Sequence, residues 1–139
     1  MSAKKVGGRE LTVPVTVEFE DVDAYGIAHH TKLVAYLERA RVRFLAQLGF
    51  DLARTDVHLV LYELEARFQR TVALLDPLEV TVSVTSADAV KLVLGYRIRR
   101  AGQLVARGTT ALAFVDGATR AVVPVPAELR RALAAPGEG

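Results

Sequence analysis

The sequence predicts an α+β fold in which one antiparallel sheet packs on one long helix, and three features of its 139 residues support this. Five segments alternate apolar and polar side chains with the period of two that is typical of half-buried strands. Between the first and second of them, apolar residues recur at steps of three and four, which is typical of an amphipathic helix. Short turns join the last four strands, so we expect these strands to be antiparallel neighbours.

Two of the five predicted strands have apolar side chains on both faces. The apolar rows of all five occupy residues 12–19, 58–68, 78–84, 90–98 and 104–115. Pro14 lies in the first strand, and proline, which has no N–H to donate, favours a strand start or a sheet edge. Apolar residues also occupy the second face of residues 57–61 and 105–115. Because a solvated face would be more polar, we expect part of this face to contact another subunit.

The long helix is predicted from residue 33 to residue 48. Gly49 follows it as a C-terminal cap, and His29, His30 or Thr31 would begin it. Its apolar positions form one wide face, which is typical of a helix buried against a sheet. The simplest packing therefore has the sheet wrapped around this helix.

The rest of the chain is consistent with one domain. A short helix is predicted from residue 126 to residue 134, because proline is well placed in a first turn. A chain of this length usually folds as a single domain. We predict one domain over residues 1–139, with its core at about residues 10–135.

Composition excludes several classes of site. Cysteine is absent, which removes disulfides, thiolate catalysis and the usual zinc frameworks. The three histidines follow no metal-binding spacing, so we expect neither a metal nor a cofactor. The formal charge is only +2 and the basic residues are scattered, so we expect no nucleic-acid partner.

Location is predicted from what the sequence lacks. No apolar run approaches the roughly 20 residues of a membrane helix, so we expect no membrane span. The basic start of the chain has no apolar stretch like that of a secretory signal. Cytoplasm is therefore the expected location.

The segment from Asp21 to His30 contains the residues best suited to chemistry. A strand ends in Asp21 and Asp23, turns through Gly26 and enters the start of the long helix. A helix start has unpaired N–H groups and a partial positive charge, which suit a developing oxyanion. A carboxylate just upstream can act as a base or a nucleophile. The alternative is structural: both aspartates serve as caps or turn residues, Gly26 is a plain turn glycine, and His30 bonds to backbone.

The pattern Asp-x-Asp-x-x-Gly, followed by a helix containing Glu-Arg-Ala-Arg, resembles the hotdog-fold thioesterases of the 4-hydroxybenzoyl-CoA thioesterase group. Within that group it is most similar to the short acyl-CoA thioesterases of the Tol–Pal-associated subfamily. The resemblance extends from about residue 13 to residue 133. It includes the turn at residues 75–77 and, more weakly, the tail at residues 126–130.

The resemblance implies a fold, an activity and two catalytic groups. The fold is a hotdog, a five-stranded antiparallel sheet around one central helix. The activity is hydrolysis of a small or medium acyl-CoA to the free acid and CoA. Asp23 would be the catalytic base or nucleophile, and the backbone N–H of His30 would polarise the carbonyl, with its side chain helping to bind substrate or position water. Family members form dimers that often pair into tetramers, with active sites between subunits, so we expect a homo-oligomer.

The resemblance also implies positions for the substrate. Gly26 would let substrate approach the backbone closely. Tyr25 and Leu33 would lie near the acyl group, although relatives usually have a small residue and an aromatic one there. Lys91, on the hairpin that holds the CoA phosphates in relatives, would contact those phosphates. Apart from the resemblance, Arg67 and Arg70 are basic residues that could reach a CoA phosphate, although Arg67 alternates with Glu63 and Glu65 on what could be a solvated or interfacial strand face.

Other functions remain open at this point. Glu38 is the carboxylate of a second hotdog thioesterase class, although an ion pair with Arg41 explains it better. The acyl carrier could be acyl carrier protein instead of CoA. A hotdog hydratase would need an aspartate and a histidine at a spacing that Asp23 with His29 or His30 does not reproduce. A non-catalytic acyl-CoA-binding protein would have no need of Asp23.

Overall fold

A computed structural model describes residues 4–5 and 10–134 of the chain. Its elements are β1 (Lys4–Lys5), β2 (Glu10–Thr16), α1 (His30–Gln47), β3 (Val57–Phe68), β4 (Pro77–Ala87), β5 (Lys91–Arg100), β6 (Gln103–Asp116), β7 (Val122–Val123) and α2 (Ala127–Ala134). The five long strands, the long helix and the short final helix are those predicted, so the α+β prediction is confirmed. The predicted ends of the domain, and of its core at residue 135, lie outside the described residues.

All the long strands belong to one antiparallel sheet with the order β1-β2-β4-β5-β6-β3, and β7 pairs with the end of β6. β3 lies beside β6 and not beside β2. The chain therefore passes through α1 from one side of the sheet to the strand at its opposite edge. One face of the sheet packs against α1 and encloses the core. Its largest fully buried side chains are Tyr36, Phe44, Phe50, Phe114, Leu11, Leu45, Leu78, Leu92, Leu94, Ile98, Leu112 and Leu129.

Both ends of α1 are capped by local hydrogen bonds. At the start, the ring nitrogen Nδ1 of His29 accepts the N–H of Thr31. At the end, Gly49 has a φ of +93° and donates to the carbonyl of Ala46, while the next N–H donates to Leu45. This pair of bonds is a Schellman motif, so the predicted cap at Gly49 is confirmed.

The prediction that the first strand reaches Phe19 is wrong. β2 ends at Thr16, and Phe19–Asp21 form a 3-10 turn in which the Phe19 side chain is 81% exposed. The turn forms because the Asp21 carboxylate accepts the N–H of Glu18, which draws the chain out of the extended conformation.

A β-bulge at Tyr62 divides the predicted apolar row of β3. The register with β6 shifts between Leu61 and Glu63. Because opposite residues of paired strands share a face, Leu64 and Phe68 lie on the face toward α1, whereas His58 lies on the other face. The bulge inserts one residue and so reverses which alternate side chains face inward.

The apolar residues proposed to contact a second subunit fall into two groups. Val105, Ala111 and Val115 are already buried within the single chain, so they carry no such argument. Of the β3 residues in that prediction, Val57 and Leu59 are partly buried against the core, whereas Leu61 is exposed. Other large apolar side chains of β3 are exposed as well: Val60, Tyr62, Leu64 and Phe68. Among the described residues, no helix is both long and apolar enough to cross a membrane.

Candidate active site

The loop from Asp23 to Ile27 is closed by backbone hydrogen bonds at its base. Val22 and Ala28 form an isolated antiparallel bridge, and the N–H of Asp23 donates to the carbonyl of Ile27 at 3.0 Å. Asp23 follows one arm of this bridge directly, and His30 follows the other arm by two residues. The same bridge therefore holds both residues in place, with Asp23 on the loop side of it and His30 on the helix side.

Asp23 is exposed, and its carboxylate serves the turn with only one of its oxygens. Oδ1 accepts the N–H groups of Tyr25 at 2.8 Å and Ile27 at 3.2 Å. Oδ2 accepts no hydrogen bond from any residue that the structure describes. The structural alternative for Asp23 is thus partly correct, because it is a turn residue. The second oxygen nevertheless remains available to water or to a substrate.

His30 supplies the one N–H of the first helical turn that lacks a protein acceptor among the described residues. The N–H of Thr31 is capped by the His29 ring at 3.3 Å, and the N–H of Lys32 donates to the His29 carbonyl at 2.9 Å. The first N–H of a helix has no intrahelical partner, and the helix dipole adds positive potential there. This is the geometry expected of an oxyanion donor.

Asp21 has a different environment from Asp23 and was not predicted to be more than a cap or turn residue. Its carboxylate is buried, with Oδ2 accepting the hydroxyl of Tyr36 at 2.7 Å and the N–H of Glu18 at 3.1 Å. Its carbonyl accepts the N–H of His29 at 3.3 Å. Asp21 thus joins both ends of the loop to α1. A tyrosine at a core position of the helix was the available signal, since a buried hydroxyl needs a partner.

The Asp21–Tyr36 contact changes the titration of both groups. Burial alone would raise the pKa of Asp21, but the hydrogen bonds from Tyr36 and Glu18 and the charges of Arg39 and Lys32 hold it below its usual value. Burial, together with the hydrogen bond to the Asp21 carboxylate, raises the pKa of Tyr36 above its usual value. At neutral pH the pair is therefore a carboxylate that accepts from a neutral phenol.

The residues predicted to surround the acyl group have contrasting positions. Gly26 has a φ of +76°, with nothing within 4 Å of the place where a Cβ would lie. Tyr25 is 87% exposed, whereas Leu33 is buried in the core. Phe68, which was not predicted as a site residue, lies with its ring 5.8 Å from that of His30. The end of β3 therefore forms one wall of the space at the helix start.

The three residues predicted to contact CoA phosphates do not lie together within one chain. Arg67 is exposed near the end of β3, and Arg70 follows it with its N–H bonded to the carbonyl of Val105. Arg107 of β6 is opposite both Arg67 of β3 and Arg97 of β5, so Arg67 and Arg97 lie at the same position along their strands. Lys91 lies six residues before Arg97 on β5, about 20 Å away at roughly 3.3 Å per residue.

Glu38 forms the ion pair that its spacing predicted. Its carboxylate lies 3.3 Å from the guanidinium of Arg41, which is buried and also donates to the Tyr96 hydroxyl. The structural interpretation of Glu38 is confirmed. No group of three or more His, Asp or Glu residues in the described part of the chain is arranged to hold a metal ion.

The profile of the thioesterase-like superfamily matches residues 17–133, which include the loop, α1 and the whole sheet beyond β2. The chain belongs to the thioesterase-like superfamily. The acyl-CoA thioesterase YbgC of Haemophilus influenzae is 28% identical over 126 residues, which cover 88% of this chain and 93% of that protein. The 1,4-dihydroxy-2-naphthoyl-CoA hydrolase of Thermosynechococcus vestitus is 30% identical over 116 residues, 80% of each protein.

Solved structures of hotdog thioesterases share the fold. Slr0204, a 1,4-dihydroxy-2-naphthoyl-CoA thioesterase from Synechocystis, aligns with a TM-score of 0.82 at 23% identity, over 89% of this chain and 95% of its own. The predicted hotdog fold and the resemblance drawn from the motif are therefore confirmed. The prediction of a thioesterase-family enzyme is confirmed as well.

Proposed function

We propose that this thioesterase-family chain hydrolyses small or medium acyl-CoA thioesters, with Asp23 and the N–H of His30 as its catalytic groups. The observation that carries the proposal is that the two groups flank one bridge at the base of the loop and that each has an unused hydrogen-bonding atom. One carboxylate oxygen of Asp23 is free of protein donors, and the first N–H of α1 is free of protein acceptors, among the described residues. The activities named for the YbgC and naphthoyl-CoA relatives support it.

The two groups have complementary tasks in the reaction. The thioester oxygen accepts the N–H of His30, which is in place before substrate binds, and such a donor is worth about 3 kcal/mol as charge develops. Asp23 takes a proton from water as the water oxygen adds to the carbonyl carbon, or adds itself to give an anhydride that water then cleaves. In either case the C–S bond breaks, the CoA thiolate leaves and is protonated, and the free acid is released.

The proposal includes a second copy of the chain. β3 pairs only with β6 among the described strands, so its other edge is open, and it carries exposed apolar side chains. An open edge of this kind is a template for pairing with another strand. Pairing of β3 with β3 of a second copy would place the site at Phe68 and His30 next to the interface. A tetramer and a cytoplasmic location stay predictions from the sequence.

Asp23→Asn tests the catalytic assignment. The variant retains the shape of the turn but removes the charge and the basicity, so kcat should fall by at least ~100-fold, the lower end for general-base catalysis. The measurement is release of free CoA from short, long and aromatic acyl-CoAs, which also defines the acyl group. An acylated carrier protein assayed in parallel decides between the two carriers.

Asp51→Asn is a matched control. Asp51 is also an exposed aspartate whose carboxylate accepts a backbone N–H, that of Ala53 at 2.8 Å, but it follows the opposite end of α1. The Asp51→Asn variant should hydrolyse acyl-CoA at the rate of the unmodified protein. Hydrolysis by Asp23→Asn at the unmodified rate would refute the assignment and make Glu38 the leading carboxylate.

A further inference from the structure

Three arginines on different strands form a row across the face of the sheet that points away from α1. Arg97 of β5 lies directly opposite Arg107 of β6, and Arg107 lies directly opposite Arg67 of β3. The residues next to these arginines along the strands show which face of the sheet the arginine side chains are on. Tyr96 is buried, and a Cβ on Gly108 would lie 3.1 Å from the Leu37 side chain, so the arginines project to the opposite side.

The charges in this arginine row (Arg67, Arg97 and Arg107) are not neutralised by a direct ion pair. None of the three contacts a carboxylate of a described residue as a salt bridge, although other arginines of the chain do. Side chains directly opposite on neighbouring strands start about 5 Å apart, and like charges in such pairs are destabilising. An anion bound over the row would relieve this repulsion.

A concave cavity of about 840 Å³ lies over the row. The next row of the sheet forms its floor, with the neutral residues Ser83, Gly95 and Thr109 opposite one another in the middle. Glu10 and Glu65 lie at the two ends of that row, on β2 and β3. Glu79 of β4 and Arg99 of β5 lie opposite each other and line the cavity on the other side of the arginine row. The lining thus has four arginines and three glutamates, with hydroxyl groups between them.

Gly95 makes room for the Thr85 side chain on the floor. A Cβ at this position would lie 2.9 Å from the hydroxyl oxygen of Thr85, a distance that side chains do not adopt without displacement. The Thr85 hydroxyl therefore lies over Gly95, and the hydroxyls of Ser83 and Thr109 flank the position as further hydrogen-bond donors.

We infer that the arginine row and the floor beside it form a binding site for a ligand with a diphosphate group. Guanidinium groups bind phosphate oxygens through two parallel N–H donors, and three of them side by side match adjoining phosphates better than a single carboxylate. Two ligands share this chemistry. One is the CoA part of the substrate, in which case the inference rests on the proposed function, and the other is a free nucleoside diphosphate.

The position of the row relates it to the candidate active site. Arg67 immediately precedes Phe68, whose ring lies beside that of His30 on the other face of the same strand. This extends the sequence-based prediction of a phosphate contact at Arg67 to Arg97 and Arg107, and it does not involve Lys91.

Binding of CoA, ADP and pyrophosphate to the full chain, measured by isothermal titration calorimetry, tests the inference. Arg107→Gln removes the central charge and should weaken binding of all three probes at least about tenfold, as expected for a lost charge-assisted hydrogen bond. Arg97→Gln should act in the same direction. Arg130→Gln, an exposed arginine on α2, is the matched control and should bind as the unmodified chain does.

Stability supplies a second readout. Without ligand, Arg107→Gln should melt at the same or a higher temperature than the unmodified chain, because it relieves repulsion. CoA should raise the melting temperature of the unmodified chain more than that of the variant. Much tighter binding of CoA than of ADP would assign the site to the substrate, and equal binding would assign it to a free nucleotide.

Several outcomes would overturn the inference. One is that the unmodified chain binds none of the three probes. Another is that Arg107→Gln binds them with the same affinity as the unmodified chain. The third is that Arg107→Gln changes the molar mass of the protein without changing its affinity for the probes. The last result would make this face a contact between copies of the chain. Asp23→Asn should bind CoA normally, so loss of hydrolysis and loss of phosphate binding are separate results.

Discussion

Two aspartates separated by one residue have different tasks because their surroundings differ. Asp21 is buried and accepts two donors with one oxygen, whereas Asp23 is exposed and keeps one oxygen free of donors from the described residues. A buried carboxylate that holds a loop is useful for position, and an accessible one is useful for chemistry. The motif therefore combines an anchor and a reactive group.

Tyr36→Phe should show the structural value of the anchor. Removal of the hydroxyl leaves a buried carboxylate oxygen with one donor fewer, which should lower the free energy of unfolding by about 1–3 kcal/mol. Urea denaturation at pH 7 measures it. Tyr25→Phe, at an exposed tyrosine, should leave the unfolding free energy unchanged, and an equal loss in both variants would contradict the role given to the buried pair.

Asp21→Asn should change how stability depends on pH. The pKa of Asp21 is lowered in the folded state, so its ionised form stabilises the fold above the usual value of 3.8. That contribution is lost as pH falls through the folded-state pKa. The difference in unfolding free energy between the unmodified chain and the variant should therefore be full at pH 7 and shrink below about pH 4. A difference that grows on acidification would contradict this assignment.

At the scale of elements, α1 depends on its two ends in different ways. Its first turn faces the candidate site, and its last turn is closed by the left-handed conformation of Gly49. Gly49→Ala would place a Cβ in open space, with nothing within 4 Å, so its whole cost is conformational. We expect a loss of roughly 1–2 kcal/mol, because a left-handed residue with a Cβ crowds its own carbonyl.

The measurement for Gly49→Ala is thermal unfolding together with kcat. The melting temperature should fall while kcat stays unchanged, since the cap lies at the end of α1 away from His30. Gln47→Ala, an exposed helical substitution two residues away, should alter neither. A fall in kcat equal to that of Asp23→Asn would mean that the C-terminal cap controls the site, against this account.

At the scale of the whole molecule, β3 is the element that a single chain leaves incomplete. We expect a homo-oligomer, at least a dimer, that forms along this edge because pairing satisfies its backbone and covers its apolar side chains. Leu64→Glu should shift the molar mass in light scattering toward that of the monomer. Val122→Lys changes an exposed apolar residue on β7 and should not. A stable monomer of the unmodified chain at micromolar concentration would exclude the oligomer.

Local pattern was sufficient for the elements and for the motif. Alternation predicts the strands and the three-four spacing predicts α1, because each depends on neighbours within a few residues of the chain. The same is true of the cap at Gly49. The motif from Asp21 to Gly26 is also contiguous, so the sequence alone was enough to place the chain in its family and to nominate Asp23 and His30.

Tertiary structure alone decided what depends on pairing between distant segments. The place of β3 beside β6, the bulge at Tyr62 that reverses its faces, and the contact of Asp21 with Tyr36 depend on register and packing, which no local spacing encodes. The arginine row is the clearest case. Its three residues are 10 to 40 positions apart in the chain, and only the antiparallel register of β3, β5 and β6 makes them neighbours. The order and register of the strands decide which side chains share a face and how far apart they are. They are therefore the reason why three like charges lie side by side here.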